Sequence, residues 1–510
     1  MRPVSILFPQ MAPSLGHQFP GEDPSFFADL AIDRILEVVS EGFEAYDLRP
    51  LFRLIPHERT TIDYRQAILR DLTDNIINAV VKDFTAAMAR ARSSLELARK
   101  CFNKHQEAAY VVGAITGYCE IVQTLGTALR AAGPQSDGLK TFMAVTHEYI
   151  NSDSFKFLAK EAIRHRAALD AIRYTVLIHQ DTVTVRGFEE QPDYNAVISQ
   201  LFSRFQQQDD APRKSGAITN GVMDNVQSRI LDAVVQLHPD IFAALGAFVN
   251  AHRDFIDPVL VGFEREAKFY LSWLAFTDKL ATTGLDFCWP QLIDDYGIGA
   301  EAAFDLALAE KLHGRSVKII TNDFYLECAE RIFIVTGPNQ GGKTTFARML
   351  GQMHFFANLG LTVPGRQARL KFFDQIFTHF EREESLTSLH GKLYDDLLRI
   401  HAILDAATAD SLIILNEIFN STALKDAVFL ADAVLRRIIR LGALAVCVTF
   451  MDELATIGPE TVSVTSMVEP ENPETRSFRI IRHQADGLAY ALSIAKKYGV
   501  TYDRLKERLA

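Results

Sequence analysis

Hydrophobic residues recur with a helical period through most of residues 74–310. The clearest run has apolar residues spaced alternately four and three positions apart, which places them on one face of a helix. This face consists of Val111, Ile115, Tyr118, Val122, Leu125 and Leu129. A second face, formed by Met223, Val226, Ile230, Val234 and Leu237, is followed by Pro239, where a helix is expected to stop. We expect both faces to form the core of a helical bundle; the alternative is a surface that binds a cofactor.

Two stretches depart from this helical pattern. The segment YTVLIHQDTVTVRGF is rich in β-branched residues and predicts a hairpin or small sheet. The segment QQQDDAPRKSGAITNG is polar and predicts a loop. Before the helical region, FFADLAIDRILEVVSEGF predicts a helix. We therefore expect an N-terminal segment at residues 1–73 that leads into a helical domain at residues 74–310.

Residues 311–510 alternate between apolar strands and helical stretches. The predicted strands are RIFIVTG, SLIILNE and ALAVCVTF, and each is followed by a segment that is expected to be helical. This rhythm is typical of a parallel sheet with crossover helices. The expected fold class is therefore multidomain, with a mostly α-helical region followed by an α/β domain.

A glycine-rich motif falls in the first strand-to-helix turn of this α/β domain. Gly337, Gly342, Lys343 and Thr344 match the pattern G-x-x-x-x-G-K-[ST], which binds the phosphates of a nucleotide. Glycines let the backbone approach the phosphates, and the helix N-terminus adds a partial positive charge. The expected nucleotide-binding residues are Gly337, Pro338, Asn339, Gln340, Gly341, Gly342, Lys343, Thr344 and Thr345. A chance glycine-rich turn is the alternative, and the strand before it and the helix after it argue against that.

The second strand should carry the partner motif, because ligands of open α/β sheets bind at the carboxyl ends of the strands. This end carries Asn416 and Glu417. Glu417 is suited to polarise the attacking water and is the candidate catalytic residue. Thr344 and Asn416 are the candidate Mg²⁺ ligands, although an amide oxygen is a poorer ligand than the carboxylate usually found there. The alternative is a polar strand end without a role.

Composition and charge narrow the class of protein. The chain has 510 residues, of which 48% are hydrophobic and 23% charged, as in folded proteins with several domains. The five cysteines form no CxxC pair, so neither a zinc ribbon nor a secreted disulfide framework is indicated. The net charge of -11 argues against a protein that coats nucleic acid over its whole surface. Without a signal peptide or a long apolar run, we expect a cytoplasmic protein that does not enter a membrane.

The phosphate loop and its neighbours resemble one family. TGPNQGGKTT looks like the TGPNxGGKST loop of the MutS DNA mismatch repair family. LIILNEIFNSTALKDA is similar to the family's LVLxDExGRGTSTxDG and keeps Glu417, Thr422 and Asp426, the last two in its D-loop-like part. Three further segments resemble family motifs: IITNDFYL, DLLRIHAIL and DGLAYALSIAKKYGV. The resemblance covers about 200 residues closely, and residues 74–310 are similar only in pattern to the family's core, lever and clamp domains.

This resemblance implies an ABC-type ATPase domain at residues 311–510 that uses ATP and Mg²⁺. The chain departs from the family at Asn416, where the family has aspartate, and at Thr449, Phe450 and Met451, where it has T-H-Y. A histidine switch at the nucleotide is therefore not expected. We also expect neither mismatch-recognition and connector domains before the helical region nor a helical extension after Ala510.

The resemblance also implies a partner subunit. In the family, a G-R-S-T-F signature reaches the phosphate bound by the other subunit, and Gly391 and Lys392 stand in that place here. Lys392 either supplies a positive charge to the other subunit or is a solvated loop lysine. We expect a homodimer in which ATP brings two ATPase heads together and moves the helical arms.

The expected ligand of the arms is DNA, preferably mismatched or branched. The basic stretches RHRAALDAIR and ARARSSLELARK are candidate contacts to the DNA backbone, although such charges are commonly a solvated helix face. The alternative function is an ATP-gated scaffold or a slow, degenerate ATPase whose arms bind a protein. Asn416 and Phe450 favour that alternative, whereas Lys343, Thr344 and Glu417 oppose it.

Overall fold

The computed structural model describes residues 1, 4–9, 23–180, 182–188, 223–315, 317–381, 391–469 and 472–484. The predicted polar loop at residues 206–221 and the closing motif at residues 486–500 lie outside these residues. The chain divides into two compact units, one joining Met1–Val4 to Asp74–Ala267 and the other joining Ser5–Thr73 to Lys268–Ala510. One boundary of this division falls between Thr73 and Asp74. Residues 5–73 and 268–310, however, group with the α/β part of the chain.

Helices build the first unit. They are Asn75–Arg99, Lys104–Ala132, Asp137–Asn151, Asp153–Asp170, Asn225–Leu237, Pro239–Ala251 and the beginning of Pro258–Ala281. Short polar side chains begin several of them; for example, Asp74 accepts hydrogen bonds from the backbone N–H groups of Ile76 and Ile77. The face predicted between Val111 and Leu129 is confirmed, because all of its residues are buried in Lys104–Ala132.

The second predicted apolar face is mostly not buried. Its residues lie on the helix Asn225–Leu237 or just before it, but of the five only Val234 is buried. Val226 is 56% exposed and Leu237 is 40% exposed. The prediction that this face forms core is therefore wrong for most of its residues. The predicted stop at Pro239 is confirmed, and this proline also begins the next helix.

The predicted hairpin is confirmed. Strand β1 (Tyr174–His179) pairs antiparallel with β2 (Thr182–Gly187). Val176 lies opposite Val185 and Ile178 opposite Val183, so these apolar side chains share one face of the hairpin. Ile178 is 75% exposed, and β2 also contacts the helix Asn225–Leu237.

Twelve strands of the second unit form three sheets in the described part of the chain. A pair joins β3 (Phe287–Cys288) and β8 (Val363–Pro364), and a four-stranded sheet has the order β4 (Gln291–Ile293), β9 (Gln367–Lys371), β5 (Gly299–Ala303), β6 (Asn322–Tyr325). The largest sheet has the order β10 (Ile376–His379), β11 (Leu412–Asn416), β12 (Leu444–Val448), β7 (Ile332–Thr336), β13 (Thr461–Glu469), β14 (Asn472–Arg482).

The largest sheet confirms the predicted parallel arrangement. Its first five strands are parallel, and β14 pairs antiparallel with β13. The helix Lys343–Asn358 follows β7, and Leu424–Leu441 follows β11. The prediction of a helix after β12 is wrong, because that connection contains only the 3₁₀ helix Asp452–Thr456. Gly458 and Pro459 follow after Ile457 and prevent a longer helix.

The N-terminal segment packs within the second unit. Its helices are Phe26–Asp29, Ile32–Val39, Arg49–Arg53 and Arg59–Thr73. The single helix predicted from Phe26 is interrupted at Ala31, whose φ of 54° lies in the left-handed region. Gln352, on the helix after β7, donates a hydrogen bond to the Leu30 carbonyl at 2.9 Å, and Thr378 of β10 donates one to Asp29 at 2.6 Å. Residues 23–73 therefore belong to the core of the α/β unit.

No single helix among the described residues is long and apolar enough to span a membrane. The helices Asn225–Leu237 and Pro239–Ala251 reach the required length and composition only as a pair, bent by 105°. Phe242, Leu245, Phe248 and Val249 of the second helix are buried, as in the core helices of a folded domain.

Candidate functional site

The phosphate loop lies between the fully buried strand β7 and the helix Lys343–Asn358, as predicted. Gly337 and Gly342 have φ angles of 110° and 94°, which strongly favour glycine. A Cβ atom at Gly337 would lie 2.8 Å from the Ser466 carbonyl oxygen, and one at Gly341 would lie 2.2 Å from Ser466 Oγ. Both the backbone conformation and the close approach of β13 therefore require small residues in the loop.

Lys343 is the first residue of the helix, and its ammonium folds back onto the loop. Nζ donates hydrogen bonds to the carbonyl oxygens of Gly337 at 2.9 Å and Pro338 at 3.3 Å, and to Asn339 Oδ1 at 3.2 Å. The residue is only 5% exposed. Burial lowers the pKa of this ammonium below its ordinary value, while Glu417 opposes the shift and Arg476 adds to it. The lysine therefore belongs to the loop's own structure as well as facing the site.

Asn416 and Glu417 meet the phosphate loop at the carboxyl end of β11. Thr344 Oγ1 donates a hydrogen bond to Asn416 Oδ1 at 3.0 Å, so the two predicted metal ligands converge. Glu417 follows with a φ of 55°, and its N–H donates to the Val448 carbonyl at 2.8 Å. A hydroxyl and an amide oxygen beside a carboxylate form an oxygen donor set that fits Mg²⁺.

A cavity of about 670 Å³ opens beside these residues. This volume lies within the range of small-molecule sites. Its lining includes the predicted residues Asn339, Gln340, Gly342, Lys343, Thr344, Thr345 and Glu417. It also includes the apolar residues Phe304, Leu308, Leu312, Val317, Ile319, Ile320, Phe346, Met349 and Phe478. The cavity thus combines residues of the phosphate loop with apolar side chains in one lining.

Buried polar groups hold the wall of this cavity in place. Asp305 is 2% exposed, caps the helix Leu306–Leu312 and forms an ion pair with Arg348 at 2.9 Å. Gln352 Nε2 also donates to Asp305 Oδ1 at 3.1 Å. Arg348 and Gln352 lie on the helix that begins with the phosphate loop. The apolar wall and the loop are therefore connected through one network.

Strands β13 and β14 support the loop from its other side. Ser466 is fully buried, and its Oγ donates to the Gly341 carbonyl at 2.6 Å. Arg476 Nε donates to the Asn339 carbonyl at 3.3 Å. Asn322 of β6 holds β14 through hydrogen bonds with the Phe478 carbonyl and the Ile480 N–H. Sequence reasoning did not identify Ser466, Arg476 or Phe478, because they lie more than 100 residues beyond the loop and carry no motif.

Comparison with known proteins finds a family model that matches this part of the chain. Residues 333–506 match the family described as MutS domain V. This match places residues 333–506 in the MutS domain V family. It is 30% identical over 196 residues to the DNA mismatch repair protein MutS of Thermotoga maritima, an alignment that covers 37% of this chain and 24% of the relative.

Two further MutS relatives extend this result. The DNA mismatch repair protein MutS of Granulibacter bethesdensis is 28% identical over 268 residues, which is 51% of this chain and 28% of the relative. The protein of the same name from Rickettsia bellii is 33% identical over 153 residues, 30% of this chain and 17% of the relative. The chain thus matches only about a quarter of the length of these MutS relatives.

The other described residues that were selected by their resemblance to MutS motifs do not line the cavity. Thr422 is partly buried and Asp426 is exposed, at the start of the helix Leu424–Leu441. Gly391 and Lys392 begin the helix Lys392–Ala406, and Lys392 forms an ion pair with Glu381. The hydrogen bond from Lys392 lowers the pKa of the Glu381 carboxyl below its usual range. In this single chain Lys392 therefore has an intramolecular partner.

The two basic stretches are partly neutralised within the first unit. Arg92 forms an ion pair with the buried Glu264. In the other stretch, Arg164 pairs with Glu161 at 2.8 Å and Arg166 with Asp170 at 3.2 Å. Arg90, Arg99, Lys100 and Arg173 are exposed. Contacts between these stretches and DNA stay a prediction.

Proposed function

We propose that this chain is an ATP-dependent DNA-binding protein of the MutS type. ATP binding and hydrolysis drive closure of two heads and movement of the helical arms on DNA, preferably mismatched or branched DNA. The observation that carries this proposal is that Lys343, Thr344 and Glu417 line the same 670 Å³ cavity, while Asn416 accepts a hydrogen bond from Thr344. The names of the MutS relatives, which are DNA mismatch repair proteins, support the choice of DNA.

Each residue of the proposed site has a separate role in binding or hydrolysing the nucleotide. Lys343 exchanges its hydrogen bonds to the loop carbonyls for the terminal phosphates, and the loop N–H groups hold the remaining phosphate oxygens. Thr344 and Asn416 would hold Mg²⁺, and the bound ion would supply positive charge to offset the negative charge on the phosphates. Glu417 orients the attacking water and accepts its proton. The apolar side chains of the cavity lining enclose the nucleoside and exclude water from it.

The proposed assembly is a cytoplasmic homodimer without a membrane partner. The family resemblance of Gly391, Lys392, Thr422 and Asp426 supports a second ATPase head opposite the first. For Lys392 to reach the other subunit's phosphate, its ion pair with Glu381 has to open. Binding of ATP then couples the opening of the Lys392–Glu381 ion pair to the closure of the two ATPase heads.

Two measurements test the proposal. Binding of a fluorescent ATP analogue to the purified chain tests the nucleotide site. Electrophoretic shifts with duplex, mismatched, junction and single-stranded DNA, with and without ATP and at several salt concentrations, test the DNA function. We expect ATP to change the affinity for structured DNA more than the affinity for plain duplex. A chain that binds ATP but none of these DNAs contradicts the DNA part of the proposal.

The second candidate is an ATP-gated scaffold or slow ATPase that binds a protein. Asn416 in place of a carboxylate, the 50% exposed Phe450 in place of a histidine, and the ion pair of Lys392 with Glu381 favour it. The rate of ATP hydrolysis separates the two candidates. A scaffold should bind the nucleotide but hydrolyse it slowly, and adding DNA should not raise the rate.

A further inference from the structure

A second cavity in the second unit is lined by three arginines. It has a volume of about 340 Å³, near the lower end of the range of small-molecule sites. Arg366 lines it from just before β9, and Arg479 and Arg482 line it from β14. None of these arginines lines the cavity beside the phosphate loop. We call the smaller cavity the arginine cavity.

Two of the three guanidinium groups have no partner in the part of the chain that the structure describes. Arg482 forms an ion pair with Glu330 and lies over the ring of Tyr325. Arg366 and Arg479 are exposed, and their side chains make neither an ion pair nor a hydrogen bond with the described residues. Their positive charges are therefore left for a ligand or for water.

The rest of the lining offers little negative charge. Asp323 is the one carboxylate among the described lining residues. Its Oδ1 accepts a hydrogen bond from the N–H of Ala302 at 2.7 Å. Positive charges that line one cavity repel each other, whereas an anion bound there attracts all of them. In a chain with a net charge of -11, this excess of arginine is a local exception.

We infer that the arginine cavity binds an oxyanion of the phosphate type, and that Arg366 and Arg479 hold it. A planar guanidinium donates two parallel hydrogen bonds to two oxygen atoms of such a group, which favours phosphate over a monatomic anion. The inference goes beyond the proposed function, because it concerns a separate cavity and does not require a nucleotide at the phosphate loop.

Hydrogen bonds hold the backbone near both of these arginines. Asn322 accepts one at 2.7 Å from the residue after Arg479 and donates one at 3.3 Å to the residue before it. The N–H of Arg366 donates to the Glu301 carbonyl at 2.9 Å. Binding of an anion therefore has to order only the two side chains, which limits its cost in conformational entropy.

Calorimetric titration of inorganic phosphate into the full chain tests the inference. A non-hydrolysable ATP analogue first fills the phosphate loop, so that the phosphate signal comes from elsewhere. We expect Arg366→Ala and Arg479→Ala each to weaken phosphate binding roughly tenfold, as for the loss of one charged hydrogen-bonding group. Arg479→Lys, which keeps the charge and loses the fork, should lie between the parent and Arg479→Ala.

Asp323→Asn provides a test of opposite sign. It keeps an oxygen that can accept from Ala302 and removes the negative charge, so phosphate should bind more tightly than to the parent. Arg369→Ala is the matched control, since Arg369 lies on β9, pairs with Asp295 and does not line the arginine cavity. We expect it to bind phosphate as the parent does. Thermal unfolding of each variant checks that the fold is retained.

The same titrations with a short duplex DNA separate two sources of the phosphate group. If the two alanine variants bind DNA as the parent does while phosphate binding falls, the ligand is a free phosphorylated molecule. If their affinity for DNA falls as well, the ligand is a phosphate of the nucleic acid backbone. Both results support an oxyanion site.

Two outcomes overturn the inference. One is a parent protein that does not bind phosphate, and the other is binding of phosphate by both alanine variants as tightly as by the parent. Failure of the parent to bind the ATP analogue overturns the proposed function instead. Phosphate is then titrated into the analogue-free protein, where the two alanine variants still decide the inference.

Discussion

At the scale of single residues, Lys343 combines a structural and a functional role. Lys343→Ala removes the ammonium that would bind the terminal phosphates and also frees the carbonyls of Gly337 and Pro338. We expect nucleotide affinity to fall at least about tenfold, since charged hydrogen bonds contribute roughly 1.5–3 kcal/mol each. Hydrolysis should be lost, while the fold is retained. Binding of an ATP analogue and the thermal unfolding temperature measure these two effects.

The matched control for this variant is Lys311→Ala. Lys311 is an exposed lysine in the last turn of the helix Leu306–Leu312 and makes no contact with the loop in the described residues. We expect it to bind the analogue as the parent does. Unchanged affinity and turnover in Lys343→Ala would contradict the assignment of the phosphate site.

Asn416 is the residue that departs most clearly from the family pattern. Its Oδ1 accepts a hydrogen bond from Thr344 at 3.0 Å, where both oxygens can face one metal ion. Asn416→Asp should lower the Mg²⁺ concentration needed for half-maximal hydrolysis, because a carboxylate binds Mg²⁺ more strongly than an amide. A magnesium titration of the ATPase rate checks this expectation.

Gln375→Glu provides the comparison, because it makes the same amide-to-carboxylate change at an exposed position just before β10. This position lies at the amino ends of the parallel strands β10 and β11, whereas Asn416 lies at the carboxyl end of β11. This variant should need as much magnesium as the parent. If Asn416→Asp also needs as much, then residue 416 does not bind the metal, or the site is adapted to the amide.

At the scale of elements, β13 sets the shape of the phosphate loop. A methyl group at residue 341 would meet Ser466 Oγ at 2.2 Å and Pro338 O at 3.0 Å. Gly341→Ala should therefore displace the loop and weaken ATP binding, whereas Gly341→Ala combined with Ser466→Gly should recover part of the affinity because the closest contact is removed. Affinities of the parent, both single variants and the double variant form a double-mutant cycle that measures this coupling. Additive effects would show that β13 does not constrain the loop.

Sequence reasoning succeeded where a structure depends on neighbouring residues. The turn after β7, the hairpin β1–β2 and the buried face of Lys104–Ala132 each follow from a local pattern of glycines or apolar residues. The expected helix after β12 failed because Gly458 and Pro459 end it early. The expected core face ending at Leu237 failed because periodicity shows that a face is apolar, but not that another element covers it.

The rest of the candidate site depends on contacts between distant segments. Asp305 meets Arg348 and Gln352, and Ser466 meets Gly341 across 125 positions. No spacing rule relates such pairs. The burial of Lys343 could not be predicted from the motif either, because the motif specifies the lysine but not the strands that enclose it.

At the scale of the whole molecule, Glu417 connects hydrolysis with assembly. Glu417→Gln keeps Lys343 and the loop, so it should bind ATP but activate water poorly. The bound nucleotide should then persist and favour the closed dimer at concentrations where the nucleotide-free protein is more dissociated or more open. Light scattering after size exclusion, with and without ATP, measures the mass and the radius.

Glu453→Gln makes the same chemical change at an exposed glutamate in the 3₁₀ helix after β12 and should behave as the parent. Parental hydrolysis in Glu417→Gln would show that another residue is the base. A variant that binds ATP without any change of mass or radius would contradict head closure and favour the scaffold.

The discontinuous second unit has a consequence for biosynthesis. A ribosome completes Ser5–Thr73 first but must then synthesise Asp74–Ala267, which belongs to the other unit, before the partners of the early segment emerge. At roughly 5–20 residues per second, these roughly 200 residues take about 10–40 s. During that interval Phe27, Ile32 and Leu36, which are buried in the folded protein, remain without their later partners such as Phe355. The nascent chain is therefore a natural client for chaperones that shield apolar segments until translation ends.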